Sequence, residues 1–518
     1  MAQRLNLARH GPALLVALGV ALFVSIRLQV FEDEVPNPDI SGILYNADAL
    51  LRGALPYVDN AEFKPLGSFY LVAMSFAAFG RDLGTLQWFY TGWMLLGAPA
   101  LWFAVGPDDR SAPRRLAAAL SVAVYLYYAG MFTYNYTSWM VPAYAWSYVG
   151  IVRGLRTRTL GWALLGGATA AVATVTMQRG AVLGPFALVL FGLEARRRGP
   201  AWTVLGGWIV GALLAGALLA APYLVRGELG AVVEAIFPWR VVADYTAAPN
   251  TNPLQALVHL PGHLLTTFGA GLAVGIIALA TELRSRERAW LAPAAFLVAS
   301  IIGAGLGGGR FYLHYLVQLV PAVAAMAGSV ALAATWLDET TPRWRLATAG
   351  ACVAVLLGCA FAVSSGAAHR YEARARRLDS GKSAAQAAGA HIAARTTPEQ
   401  RIYGWGWTTW RVYFWADRRA PGRYYKALGR LTTFNSNTAF DAGGDVVFRP
   451  GPHADAFIED FDANPPTYVV LSPSFTDTLG ARVDPLQDFT ALRERLERGY
   501  RPEAQFGDLT LLRRVVQP

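Results

Sequence analysis

The sequence predicts a polytopic α-helical membrane protein with a soluble α/β domain at its C-terminal end. Three observations predict it. Of 518 residues, 54% are hydrophobic and 15% charged, and mean hydropathy is +0.32, a balance that ordinary soluble proteins do not have. The apolar residues are segregated into long runs, among them Ala13 to Val24, Trp202 to Val225 and Leu346 to Val363, as spanning a hydrocarbon core of about 30 Å requires. From about Ala367 the composition changes to that of a soluble domain. The 16 Trp and 22 Tyr suit aromatic belts at the two membrane surfaces.

Taken in order, the chain reads as about eleven spanning helices. The first runs over 11–30, with Arg4 and Arg9 ahead of it and no small-residue cleavage site before residue 31, so it is read as an uncleaved helix rather than a signal peptide. The others are placed at 84–105, 116–132, 138–152, 160–177, 181–193, 201–224, 263–281, 290–306, 315–336 and 346–364. The apolar piece 67–79 is too short to span and closes at Gly80, which places it in the interface. If the N-terminus is cytoplasmic, the inner loops carry Arg110, Arg114 and Arg115; Arg153, Arg156 and Arg158; Arg196 to Arg198; Arg284, Arg286 and Arg288; and Arg343 and Arg345. Such clustering on one side is the rule for cytoplasmic loops. The formal charge of +10 therefore reports topology and not nucleic-acid binding. A transmembrane domain over 1–366 and an extracytoplasmic α/β domain over 367–518 follow.

In that last domain, helix-like segments at 371–396, 453–463 and 486–498 alternate with strand-like runs beginning at Arg401, Tyr468 and Leu509. Gly404 and Gly406 in GWGWTTW lack the third glycine of a dinucleotide fingerprint. The two cysteines, Cys352 and Cys359, share one apolar run, and no zinc or disulfide framework follows from them.

The chemical anomaly is the loop 31–66, FEDEVPNPDISGILYNADALLRGALPYVDNAEFKPL, which holds Glu32, Asp33, Glu34, Asp39, Asp48, Asp59 and Glu62 in an otherwise basic, apolar chain. Apolar spacing predicts an amphipathic helix over about 39–51, lying at the membrane surface. Ionisable residues are costly inside a bilayer. Here they collect instead at the outer helix ends: Lys64, Arg179 in TMQRG, Arg240, and Arg310 and His314 in GGGRFYLHYLVQLVP. Carboxylates beside cations at a lipid boundary suit transfer of a sugar from a lipid phosphate. The cations would bind the departing phosphate while a carboxylate takes the proton of an attacking hydroxyl.

The run PDISGILYNADALLRGALPYVDNAEFKPLGSFYLVAMSFAAFG resembles the first external loop of the GT-C superfamily of integral membrane glycosyltransferases, in particular the bacterial relatives of protein O-mannosyltransferases and the lipid A aminoarabinose transferases. HYLVQLVP and the external C-terminal domain are similar to the same group, so the resemblance covers most of the chain. It implies a GT-C-like, inverting transferase that moves a sugar from a polyprenyl-phosphate donor to an extracytoplasmic lipid, glycan or protein. It implies Asp39 as catalytic base, and Lys64, in a Lys-Pro element, as a donor-phosphate ligand. Phe63 stands where the pattern commonly has a polar or acidic residue, and Leu66 where it has a second proline.

Each candidate also has a plainer reading. Asp39 could only cap the helix that follows, and Lys64 could snorkel to headgroups. Arg179, outside against the positive-inside trend, is read as a donor ligand or as an ion-pair partner of the acidic loop, and Arg310 follows three glycines that let backbone approach a ligand. Asp59, Glu62, His314 and Tyr315 are placed as substrate-binding candidates. No metal is expected to be required and no cofactor is assigned, although Glu32, Asp33 and Glu34 could hold a divalent cation. The expected location is the inner membrane, with the lipid bilayer, a lipid-linked donor and an external acceptor as partners and no nucleic acid. Two rivals remain: a flippase of lipid-linked intermediates, which calls for inverted repeats that are not visible, and a membrane anchor for the C-terminal domain, which leaves the acidic loop unexplained.

Overall fold

The computed structural model describes residues 7–31, 34–35, 38–105, 112–237, 242–244, 258, 260–262, 264, 268, 291–306, 310, 312–336, 383–434, 446–472 and 484–515. The expected span at 346–364, that at 263–281 apart from residues 264 and 268, both cysteines, Glu32, Asp33, Arg240 and the inner arginines Arg110, Arg284 to Arg288, Arg343 and Arg345 lie outside these residues.

Helix α1 (Leu7–Val30) is followed by α2 (Pro38–Leu51), α3 (Leu66–Phe79), α4 (Leu83–Leu95), α5 (Gly97–Val105), α6 (Ala112–Gly130), α7 (Tyr136–Trp139), α8 (Val141–Thr157), α9 (Leu160–Thr176), α10 (Leu183–Arg198), α11 (Trp202–Arg226) and α12 (Leu229–Ile236). Later come α13 (Leu291–Gly305) and α14 (Val320–Trp336). Among the described residues two helices, Gly11–Val30 and Trp202–Arg226, are long and apolar enough to cross a membrane. The span expected at 84–105 is divided at Leu96 into α4 and α5, and that at 315–336 opens with a 3₁₀ segment, Leu313–Leu319.

Helix α1 turns Phe23 and Ile26 inward and leaves Leu14 and Leu18 exposed, the pattern of a helix with one face toward lipid. Near its end Arg27 is fully buried; it donates to the carbonyl oxygens of Phe132 (2.6 Å) and Gly130 (3.3 Å) and lies 4.9 Å from the Tyr90 ring centroid. Helices α8, α9 and α11 approach through small residues. A methyl group at Gly167 would sit 1.8 Å from the Trp208 carbonyl oxygen, and one at Gly150 would sit 2.3 Å from the Gly166 Cα. Backbone contact of this kind is how helices associate where lipid removes the hydrophobic drive.

Helix α2 has the expected extent, but it does not lie as a simple surface helix. It is packed between α3 and the C-terminal domain, and its Gly42 and Asn46 are buried. These two positions lie one turn apart, so a polar, small-residue face meets the domain.

The C-terminal domain contains α15 (Ala384–Ala393), β1 (Ile402–Trp405), α16 (Trp410–Ala416), α17 (Pro452–Ala463), β2 (Tyr468–Leu471), α18 (Thr490–Gly499), β3 (Tyr500–Phe506) and β4 (Leu509–Arg514). The sheet order is β1-β2-β4-β3, with β1 and β2 parallel and the other pairs antiparallel. Strand β3 escaped the sequence reading because its Pro502 and charged neighbours look unlike a strand. At a sheet edge, beside a register shift at Pro502/Ala504, they are tolerated. Gly406, at φ 112°, has a local purpose: a side chain there would meet the Ser472 carbonyl oxygen at 2.4 Å.

The domain docks on the first loop. Tyr45 of α2 stacks on Tyr425 (centroids 4.3 Å apart) and accepts a hydrogen bond from the Ala420 N–H at 3.1 Å. Asp417 pairs with Arg52 at 2.6 Å, Glu34 with Arg411 at 3.3 Å, and Arg81 lies over the Phe414 ring at 4.2 Å.

Candidate active site

Asp39 stands in the first turn of α2, and its carboxylate is paired with the Lys64 ammonium. The same ammonium donates to the Asp39 carbonyl oxygen at 3.1 Å and lies 5.5 Å from the Tyr136 ring centroid. The two residues thus meet at one point, although 25 positions separate them.

Lys64 is delivered there by an ordered loop. Asp59 accepts from the Leu55 N–H at 2.6 Å, Tyr57 takes a positive φ of 69° and donates its hydroxyl to the Lys64 carbonyl oxygen at 2.5 Å, and Tyr223 donates to the Pro56 carbonyl oxygen at 3.0 Å. Asp59 is otherwise engaged with Arg226 at 2.8 Å, in an exposed pair. Asp48 likewise faces Arg52 at 3.0 Å and Arg81 at 3.5 Å.

On the membrane side, Arg179 leaves α9 in a 3₁₀ turn and is buried, with its guanidinium 3.9 Å from the Tyr315 ring centroid. His314 is enclosed by aromatic rings, stacked on Tyr312 at 5.4 Å and edge-on to Tyr136 and Tyr315 at 5.9 and 4.6 Å. Asp39, Arg179 and Lys64 lie within electrostatic reach of this buried imidazole. Arg310 is fully buried and hydrogen-bonds Tyr312, which itself senses Asp39. The three cations singled out in the sequence therefore gather with Asp39 around one cluster of Tyr136, Tyr312, His314 and Tyr315. A guanidinium over an aromatic face gains about 1–2 kcal/mol when desolvated, so these rings help hold cations away from bulk water.

Glu62 sits deeper, with its side chain wholly buried. It accepts from the Lys426 ammonium at 2.5 Å, the Tyr425 hydroxyl, Asn46 Nδ2 at 3.2 Å, and the backbone N–H groups of Phe63 at 2.8 Å and Lys64 at 3.1 Å. Burial alone would raise this carboxyl, but the ammonium groups of Lys426 and Lys64 and the donors around it pull it down from 4.5 to about 2. Burial lowers Lys426 to about 8 against the pull of Glu62, which leaves the pair charged at neutral pH. Since Glu62 is held below its unfolded value, its stabilisation is complete above about pH 4.5 and is lost as pH falls toward 2. Acid titration of unfolding should therefore be shallower in Glu62→Gln than in the parent between those limits; equal slopes would refute the assignment.

Phe63 has its own explanation in this structure. It packs edge-on to Phe434 at 5.0 Å and beneath the Lys426 ammonium at 4.0 Å, so an apolar residue walls the ion pair from solvent. Beyond that wall a cleft of about 500 Å³ is lined by Tyr57, Phe63, Arg423, Tyr424, Arg449 and His453, among others. No group of three or more His, Cys, Asp or Glu side chains is arranged for a metal among the described residues.

Sequence reasoning missed Lys426, Tyr425 and Asn46. One signal was present. Of 45 basic residues only three are lysines, Lys64, Lys382 and Lys426, and two of those three lie at this site.

No family model and no curated protein sequence matches the chain. Solved structures do. The ArnT of Cupriavidus metallidurans bound to undecaprenyl phosphate aligns with a TM-score of 0.61 at 16% identity, over 98% of both chains. Its apo form aligns at 0.58 and 16%, over 97% of both. The apo oligosaccharyltransferase of Archaeoglobus fulgidus aligns at 0.51 and 13%, over 89% of this chain and 69% of its own. At these identities the likeness is one of fold, and the chain shares the fold of these solved structures.

Proposed function

We propose that this protein is a membrane glycosyltransferase that takes a sugar from a polyprenyl-phosphate donor and passes it, with inversion, to an extracytoplasmic acceptor. The observation that carries the reading is the Asp39–Lys64 pair, set beside buried Arg179 and Arg310 in a chain with the ArnT fold. The ArnT crystal structure holds undecaprenyl phosphate, which supports a lipid phosphate as the ligand of these cations.

The chemistry follows from the charges. A donor phosphate entering beside Lys64 competes with Asp39 for its ammonium, and the carboxylate so released becomes available as a base. Asp39 then takes the acceptor hydroxyl proton as that oxygen bonds to the anomeric carbon from the face opposite the phosphate. The bond between that carbon and the phosphate oxygen breaks, and Lys64, Arg179 and Arg310 balance the charge on the leaving lipid phosphate. Negative charge near the sugar also favours its oxocarbenium-like transition state.

We place the protein in the inner membrane, with the N-terminus cytoplasmic and the C-terminal domain outside. A reporter fused after Pro518 that is active only in the cytoplasm would overturn that orientation. The functional test offers the purified protein a panel of polyprenyl-phosphate sugars with glycan, lipid and peptide acceptors and follows release of free lipid phosphate. Release with none of them, from folded protein that binds the lipid, would remove the transferase reading.

A further inference from the structure

Glu62 connects the candidate pair to a part of the chain that does not touch it directly. Its carboxylate receives donors on both oxygens: Lys426, Phe63 N–H and Lys64 N–H on Oε1, and Tyr425 and Asn46 on Oε2. A carboxylate so fully bonded is fixed in orientation. One of its donors is the backbone N–H of Lys64 itself, the residue whose ammonium holds Asp39. Two more donors come from consecutive residues of the C-terminal domain, and nothing else in that domain reaches Glu62 by a hydrogen bond among the described contacts.

Helix α2 is shaped for this junction. A methyl group at Gly42 would meet the Tyr425 hydroxyl at 2.8 Å, and the Glu62 Oε2 and Lys64 Nζ at 3.6 and 3.8 Å, so the three groups converge on the one bare position of the helix. Net stability is a weak reason to keep such a pair, since replacing a buried ion pair by packed apolar side chains is often neutral or stabilising.

We propose that Tyr425 and Lys426 of the C-terminal domain are positioning residues for the Asp39–Lys64 pair, acting through the Glu62 carboxylate. The domain is then part of the machinery that places the base and the phosphate-binding ammonium. This rests on the transferase reading for its catalytic consequence and on geometry alone for its structural one, and the two can be tested apart.

The experiment is a cycle of the full-length protein carrying Tyr425→Phe, Lys426→Met, Asp39→Asn and the Asp39→Asn combinations, with turnover measured per folded molecule and amide hydrogen exchange followed at Phe63 and Lys64. Tyr425→Phe removes one hydroxyl from a stacked ring and keeps the fold testable where Lys426→Met does not. Expected is a fall in kcat of about tenfold or more for Lys426→Met, less for Tyr425→Phe, and little further loss when either is added to Asp39→Asn, because groups acting as a unit are not additive. The Lys64 amide should exchange faster by about tenfold in Tyr425→Phe while the amides of β1 and β2 keep their protection. Losses that multiply with Asp39→Asn, or normal kcat in folded variants, would overturn the positioning role. If no donor supports turnover in the parent protein, the exchange result decides alone: an unchanged Lys64 amide in Tyr425→Phe refutes the clamp.

Discussion

Replacing Asp39 by asparagine is expected to reduce turnover by roughly 10²–10⁴-fold, the usual loss when a general base is removed. The amide keeps an oxygen that can accept from Lys64, and the fold should survive, but it cannot take a proton. If Asp39, inside the first turn and not at the cap, served only the positive end of α2, the loss would be small, because a carboxylate there adds about 0.3–1 kcal/mol of stability and nothing to proton transfer. Asp48→Asn and Asp59→Asn are the controls. Both carboxylates are committed to arginines, Asp48 to Arg52 and Arg81, Asp59 to Arg226, and both variants should turn over nearly normally. Abolished turnover in either, with Asp39→Asn active, would move the base elsewhere in the same loop.

Removing the ammonium of Lys64 should act on binding before chemistry. A hydrogen bond to a charged group is worth about 1.5–3 kcal/mol, which converts to a loss of roughly tenfold to a hundredfold in affinity for bare polyprenyl phosphate in Lys64→Met. Titration of detergent-solubilised protein with the lipid phosphate measures it without any sugar or acceptor. Arg179→Met should give a loss of the same order, since its guanidinium lies within the same aromatic cluster. An unchanged dissociation constant in both variants would detach these cations from the donor.

The parts of the architecture that depend on local pattern were legible from sequence. Helix α2 begins within a residue of its expected start because Pro38 opens it, and β1, β2 and β4 lie where short β-rich runs meet turn residues. Asp39, Lys64, Arg179 and Arg310 were singled out because charge at the outer helix ends is unusual. The division at Leu96 and the 3₁₀ opening at Leu313–Leu319 leave no trace in apolar periodicity, since each falls within one predominantly apolar run. Glu62 was placed as a substrate-binding candidate, and its bonds to the C-terminal domain were invisible. Its partners Tyr425 and Lys426 are 363 and 364 positions away, and no periodicity within the loop encodes a contact of that range. By composition Asp59 was one more carboxylate of the same loop, and its bonds from Arg226 and the Leu55 N–H set it apart from Asp39, which pairs with Lys64.

The docking of the C-terminal domain on the first loop also sets an order of events during synthesis. A ribosome adding about 5–20 residues per second needs roughly 20–70 s to pass from Glu62 to Lys426, separated by 364 positions. In the proposed orientation the loop is translocated first, so throughout that delay its clamp does not yet exist and Glu62 must stay hydrated. Charged side chains are costly inside a bilayer, so the acidic residues of the segment oppose its entry there as it waits. On the proposed reading, a nascent chain holds the lipid-phosphate cations without a placed base, and the site switches on only when the C-terminal domain emerges and docks. Protease sensitivity of residues 52–65 in stalled chains, high before Tyr425 has emerged and low after, is the signature of that delayed closure.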